Sequence, residues 1–318
     1  MKQIYCIGSG TADIVVQPFD RLPKPGTSMK VDPIILRTGG CGLNPAVTLR
    51  RLGAHPYLTC KLGHDEFGEF IISSLKKEDV DLSYLSFVKE GELAANAFLV
   101  CVTSSGERTI IAPFGASAPL LAADLDERAI EQADIFFFST ATSVLDYHDG
   151  TPHLLKRLKA AGKIVATDSI GYGDGGISVQ DFVRSIAYYT DYFMPSRDEA
   201  EAWSGKTDPL EMAQTFREWG AKNVVIKLNK DGAFYLRENG DHGIAPAYGV
   251  EAGDTTGAGD SFCGGFLMGL SLGRPFTECL KIAHATAAHC VMARGATDGI
   301  VSLAEVEAFI AAREAAGN

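Results

Sequence analysis

Residues 251–270 read EAGDTTGAGDSFCGGFLMGL. Gly253, Gly257 and Gly259 precede an apolar run of helical character, and Asp260 stands directly behind the last of them. Glycines at 257 and 259 let backbone N–H groups converge on one point, and the helix that follows adds its positive end there. Such a pocket stabilises phosphate oxygens or a developing negative charge. An acid at a helix mouth is also an ordinary capping residue. A carboxylate beside an anion pocket gains a chemical meaning if it takes a proton from a nucleophile that attacks a phosphoryl group. The pattern GxxxxGK[ST] is absent, which excludes a Walker-type site.

Working outward, short apolar runs alternate with amphipathic segments. QIYCIG, YLTCKLG, ADIFFFST, IVATDS, YFMPS and NVVIKL read as strands, and LNPAVTLRRLG, GEFIISSLKKEDV, LLKRLKAAGK and EMAQTFREWGA as helices. This alternation predicts a mostly parallel sheet covered by helices on both faces. Residues 13–38 and 91–113 break the rhythm: they are β-rich and carry turn residues, with FLVCVT and RTIIAP flanking SSGE as a hairpin. Both belong to a small accessory sheet, a candidate lid. The expected division is 1–12 in a large α/β domain, 13–38 in the lid, 39–90 in the large domain, 91–115 in the lid, and 116–318 in the large domain with the nucleotide site.

Two further glycine-rich turns follow strands. GSGTAD (Gly8 to Asp13) lacks the third glycine of a dinucleotide fingerprint, since Asp13 stands there, and reads as a plain turn. Asp13 sits where the sheet meets the lid; a ligand contact and a solvated turn both remain open. TGGCGLNPAV (Thr38 to Val47) places Gly39 and Gly40 ahead of Asn44. Its two readings are a capped turn and close backbone approach to a ligand, with Asn44 offering a donor and an acceptor to vicinal hydroxyls.

The totals exclude several classes. The chain has 318 residues and a net charge of −11, with no basic face for nucleic acid. Seven cysteines without a CxxC suit free thiols in a reducing compartment. The opening MKQIYCIGSG is not a signal peptide, and no apolar stretch is long enough to cross a bilayer. The expectation is a cytoplasmic protein with neither nucleic-acid nor membrane partners. His284 and His289 are five apart, off one helix face, and there is no HExxH or GxSxG; zinc and serine-hydrolase chemistry have no support.

The motifs in their order resemble the ribokinase-like, or PfkB-type, carbohydrate kinases. GGCGLNPAVTLRRLG is similar to the family's N-terminal signature and DTTGAGDSFCGGFL to its second signature. CKLGHDEFGEF, GERTIIAPFGASAPL, MPSRDEAEAWSG, VVIKLNKDGAFY and IAHATAAHCVMARGA resemble the segments between and after them. The resemblance implies a three-layer α/β/α sandwich with a mostly parallel central sheet and a small β-sheet lid. It implies ATP-dependent phosphorylation of a primary hydroxyl of a small sugar. Asp260 would be the base, and the amides of Gly257, Ala258 and Gly259 the anion hole. Asp13, Gly39, Gly40 and Asn44 would hold the sugar. Lys227, Asn229, Gly232, Thr256 and His284 would lie along ATP. Glu199 would organise Mg²⁺ through water, and Asp254 with Thr256 would bind a monovalent cation such as K⁺. A homodimer through the lid is also implied.

Four positions depart from the family pattern. Ser196 replaces an asparagine, and Asn229 a glycine, in a turn that asparagine tolerates. Ala141 stands at ribokinase's glutamate, which argues against ribose. Asp168 is what is left of an Asp-x-Asn-x-Arg pattern, which argues against acidic and keto sugars. A nucleoside kinase, with Phe98 or Val100 lining a slot for the base, is the nearer alternative; a non-catalytic sugar or nucleotide sensor is the farther one.

Overall fold

The structure is a computed structural model that describes residues 1–89, 91, 96–105, 108–111, 120, 122–139, 151–168 and 178–316; the side chains of 151 and 152 are not described. Ala141, most of GERTIIAPFGASAPL and the end of TDSIGYG lie outside the described residues.

In chain order, β1 (Ile4–Ile7) leads into β2 (Thr11–Val16) and β3 (Ile35–Gly39), then α1 (Leu43–Arg51). There follow β4 (Tyr57–Thr59), β5 (Lys61–Leu62), α2 (Glu66–Lys77), β6 (Ser86–Phe87), β7 (Ala97–Val102) and β8 (Arg108–Ile111). The middle of the chain supplies α3 (Glu127–Gln132), β9 (Ile135–Phe138), α4 (Thr151–Ala160), β10 (Ile164–Thr167), α5 (Val179–Ala187), β11 (Tyr192–Phe193), α6 (Arg197–Ser204) and α7 (Pro209–Glu218). The last third holds β12 (Asn223–Lys227), β13 (Ala233–Leu236), β14 (His242–Ala245), α8 (Ala258–Ser271), α9 (Phe276–Met292) and α10 (Leu303–Ala315).

Among the described residues, eight strands form the central sheet in the order β14-β13-β12-β11-β10-β9-β1-β4. Pairing is parallel from β4 through β12, and β13 and β14 close that edge antiparallel. Strands buried on both faces need apolar residues at every position, and IFFF and IYCI supply them. Alternate residues feed two cores. Ile4, Cys6, Ile135, Phe137 and Val225 join one with α1, α2, α8, α9 and α10. Tyr5, Ile7, Phe136, Phe138 and Val224 join the other with α3 to α7. This is the expected three-layer α/β/α sandwich.

A second sheet, β3-β2-β7-β8, stands apart. β2 pairs antiparallel with β3 and parallel with β7, and β7 pairs antiparallel with β8. The apolar run YLTCKLG is not one strand: it leaves the main sheet after Thr59 and pairs β5 with β6 instead.

The helix behind the glycine-rich turn is buried along its length from Ser261 to Ser271. Its glycines are sites of close approach. A Cβ at Gly264 would meet Thr48 at 2.6 Å, and one at Gly269 would meet Cys279 Sγ at 2.8 Å. α8 is therefore wedged between α1 and α9, which holds its N-terminus in place. Among the described residues no helix is long and apolar enough to cross a membrane.

Candidate active site

The parallel strands all point their C-terminal ends one way, and open α/β sheets place ligands beyond those ends. Ser9 follows β1, Ser139 follows β9, Asp168 follows β10, Ser196 lies beyond β11, and Lys227 ends β12. The first turns of α8 lie against two of these: Gly259 against Lys227 and Cys263 against Asp168.

Gly257 has φ +75°, and a Cβ there would run into Ala296. The chain can make this turn only with glycine. Ala258 and Gly259 open the helix, and Asp260 sits in its first turn without capping it: no side-chain cap is formed at this end. Its carboxyl accepts a 2.7 Å hydrogen bond from Asn44 Nδ2 instead. Packing explains the meeting. Asp260 and Gly264 lie one turn apart on α8, Asn44 and Thr48 one turn apart on α1, and the two stripes face each other. Asn44 Oδ1 is buried and has no partner among the described residues.

Burial is the main reason that Asp260 is pushed up to about 7, with Asp168 and Asp13 adding to the rise and Asn44 and Lys227 opposing it. The residue keeps some exposed surface, while its carboxyl is enclosed by these groups.

Lys227 forms an ion pair with Asp168 Oδ1. The lysine side chain is 12% exposed and that of Asp168 2%. Burial works against the charge on Lys227, but the Asp168 carboxylate beside it, with Glu199 farther off, more than offsets this and holds it protonated. Its Nζ lies 3.5 Å from where a Cβ of Gly259 would stand. This ammonium therefore overlooks the helix mouth.

Asp13, in β2, accepts a 2.8 Å hydrogen bond from Thr11 Oγ1, and burial raises its pKa. A Cβ at Gly39 would collide with its carboxylate. Gly40 has φ +106° and a Cβ there would strike the Ser9 carbonyl. The structure thus groups these residues near Asp260: Asn44 bonds it, Asp13 lies near enough to raise its pKa, and Gly39 lies against Asp13.

Glu199 caps α6 in a reciprocal box: Ser196 N and Oγ both donate to its Oε2 at 2.8 and 2.7 Å. The short serine, where an asparagine was expected, makes that box. Asn229 takes φ +54°, as its glycine-like place in the turn demands. Gly232 closes the turn at φ +100°, with its carbonyl accepting from Leu228 N at 2.7 Å.

Asp254 Oδ1 accepts from Thr256 N and Oγ1 at 2.9 and 2.6 Å, and Oδ2 from Gly295 N at 3.0 Å. Arg108 of the small sheet donates to Thr256 Oγ1 at 2.5 Å. His284 is buried and neutral, with its pKa lowered to about 4 by burial. Its ring meets the Phe262 ring edge-on at 5.0 Å. It helps line a cavity of about 530 Å³ between β14, α9 and α10, with Tyr235, Ala247, Tyr248, Leu280 and Lys281. His289 packs against Phe309 instead, so the two histidines serve different contacts.

Three relationships were not legible in the residue pattern: Asn44 on Asp260, Asp168 on Lys227, and Thr11 on Asp13. The only signal for the first was the small residue at Gly264, one turn after Asp260. For the second it was an acid immediately after a buried strand.

The fold and this cluster together define a ribokinase-like sandwich with a carboxylate at the mouth of a glycine-led helix. The model of the pfkB family carbohydrate kinases matches residues 1–302. The chain belongs to that family and is a phosphotransferase whose acceptor is an alcohol. Ribokinase of Haemophilus influenzae is 27% identical over 317 residues, covering 97% of this chain and 98% of its own. The ribokinase structure from Thermotoga maritima is 28% identical with a TM-score of 0.80, covering 98% of this chain and 100% of its own. An E. coli protein described as ribokinase II, solved with ATP and Mg²⁺, is 25% identical with a TM-score of 0.79 and covers 98% and 100%.

Proposed function

We propose that the protein transfers the γ-phosphoryl group of ATP to a primary hydroxyl of a small sugar. The observation that carries this is the Asp260 carboxyl, with a pKa of about 7, seated at the mouth of α8 beside Lys227 and Asn44. A base poised near neutral pH is ionised in part of the population and still basic enough to take the hydroxyl proton. The amides of Gly257, Ala258 and Gly259 are the proposed anion hole, donating to phosphoryl oxygens as charge develops. Asp13 accepts from one sugar hydroxyl, and the free Asn44 Oδ1 accepts from another. Gly39 and Gly40 let the sugar approach the backbone.

Along ATP, the turn of Asn229 and Gly232 and the side chain of Thr256 flank the phosphates, and His284 marks the base end beside its cavity. Glu199 has no described bond on Oε1, which suits one water-mediated contact to Mg²⁺, an ion that keeps several waters. When bound with ATP, the metal would supply neutralisation of the phosphate charge. Asp254 and Thr256 are the proposed corner for a monovalent cation such as K⁺, in exchange for the Arg108 contact. The small sheet would close over the acceptor as a lid and exclude water. Ile34, Ile110 and Ile111 are exposed around that sheet, which supports a homodimer formed through it.

One observation favours a nucleoside as acceptor. Asp13 pairs in register with Phe98, and Val15 with Val100, on one face of the small sheet. That face sets an apolar wall beside the hydroxyl contact, where a base would lie. Release of ADP across a panel of sugars and nucleosides separates the readings. Turnover with sugars alone selects the first, and turnover with nucleosides alone the second. No ADP release with any acceptor would sink both and leave a sensor.

A further inference from the structure

Asp168 is the buried acid that the substrate reading could not place. Both of its oxygens are occupied: Oδ1 by Lys227 and Oδ2 by the Cys263 thiol at 3.3 Å. Among the described residues its contacts are thus to the lysine and the thiol, both internal to the site. Cys263 stands three residues after Asp260 on α8, so the thiol comes from the same helix face as the base. Lys227 has three donors, and its described contacts are Asp168 and, at 3.9 Å, Cys263 Sγ. Its Nζ and Cε, at 3.5 and 3.9 Å, are the atoms nearest to a Cβ built on Gly259.

A lysine is a point charge on a flexible stem. A free one would wander, and ordering it at the moment of reaction costs entropy. A buried ion pair is seldom retained for stability, because desolvation offsets most of the attraction. Here the pair lies between the ends of β10 and β12 and aims the ammonium at the helix mouth. We infer that Asp168 is a positioning residue which, with Cys263, fixes the Lys227 ammonium beside Gly259, where it contacts the phosphoryl group in transfer. This rests on reading the 257–259 amides as the anion hole. Preorganised charge at that point stabilises the transferring group without reorganisation.

The test compares two nucleotides by calorimetry, each with Mg²⁺ and no acceptor: the β,γ-imido analogue of ATP, and ADP. Only the first carries the group that Lys227 is inferred to touch. Asp168→Asn is expected to weaken the ATP analogue by about tenfold or more, as for a misplaced charged hydrogen bond, and ADP by less than about threefold. Lys227→Gln is expected to show the same discrimination with a larger loss. If Asp168→Asn does not fold, Asp168→Glu, which keeps the charge but displaces it, is expected to show the same discrimination, and its absence overturns the positioning role. Equal losses for both nucleotides, or no loss for either, overturn the inference. The outcome is separable from that of the base assignment. Asp260→Asn at normal turnover would overturn Asp260 as base and leave the nucleotide discrimination standing. A defective Asp260→Asn without discrimination at Asp168 and Lys227 overturns only the positioning role.

Discussion

Asn44 and Asp260 lie 216 residues apart and are joined by one 2.7 Å hydrogen bond from Nδ2 to Oδ2. A carboxylate can only accept, so the amide nitrogen must face it and the amide oxygen must face away. One end of this side chain thus holds the Asp260 carboxyl, and the other, Oδ1, is buried without a partner among the described residues.

Asp260→Asn separates catalysis from the structural contact with Asn44. An asparagine at 260 keeps an oxygen that can accept from Asn44, so a structural role predicts almost no change. It cannot take the hydroxyl proton. The expected outcome is a folded protein whose kcat falls at least about a hundredfold, with nucleotide and acceptor affinities little changed. ADP-release kinetics with matched binding titrations check this, and a near-normal kcat would refute Asp260 as base.

The raised pKa of Asp260 ties rate and stability to pH in opposite directions. Activity requires the carboxylate, so kcat/KM should fall as pH drops through about 7. The folded pKa exceeds the value of about 3.9 expected in the unfolded chain, so the folded form binds the extra proton. Stability from this group therefore grows as pH falls through 7 and is absent above it. Asp260→Asn should melt a few degrees higher than the native protein at pH 8, and the gap should narrow at pH 6. A gap independent of pH would contradict the shifted carboxyl.

Asn44→Ala removes a donor that lowers the Asp260 pKa and an acceptor for substrate. The acid limb of the rate profile should move to higher pH. The KM for the acceptor should rise by about fivefold or more, as for the loss of one buried hydrogen bond of roughly 1 kcal/mol. Unchanged KM and an unmoved acid limb would leave Asn44 as packing alone.

The two glycines of the anion turn should fail differently. Gly257→Val forces a branched residue into φ +75° against Ala296 and should prevent stable folding. Gly259→Val lies inside the helix, where Lys227 alone is near among the described residues outside the helix itself. It should fold, as circular dichroism would show, and lose most of its turnover because the side chain blocks phosphate approach. A folded Gly259→Val enzyme at full rate would remove this glycine from the site.

Gly39→Ala and Asp13→Ala should act through one another, because a Cβ at 39 lands on the Asp13 carboxylate. Each should raise the acceptor KM while leaving the ATP KM near its native value. The double variant should be little worse than either single one. Additive losses would show that the two positions bind the acceptor independently.

Much of this molecule is written in its local pattern. Apolar runs such as IFFF can only be buried strands, and their alternation with amphipathic helices permits few arrangements besides a covered parallel sheet. The turn at 253–257 announces itself, because successive glycines before an apolar helix have few other uses. Asn229 at positive φ was also legible, since few other residues tolerate that conformation. YLTCKLG misled in detail: as a single apolar run it carries no mark of the point, after Thr59, where the chain changes sheets.

The side-chain partnerships are another matter. Asp168 could have been a sugar ligand on its strand position alone; that it holds Lys227 depends on β11 standing between β10 and β12. Glu199 could have been free for a metal; it gives one oxygen to Ser196. Backbone conformation and hydrophobic period are properties of neighbours in the chain, so a sequence displays them directly. Hydrogen bonds and shifted pKa values depend on groups hundreds of residues apart and on the water excluded between them. Those are decided only when α8 is wedged between α1 and α9 and the carboxyl of Asp260 is closed in behind it.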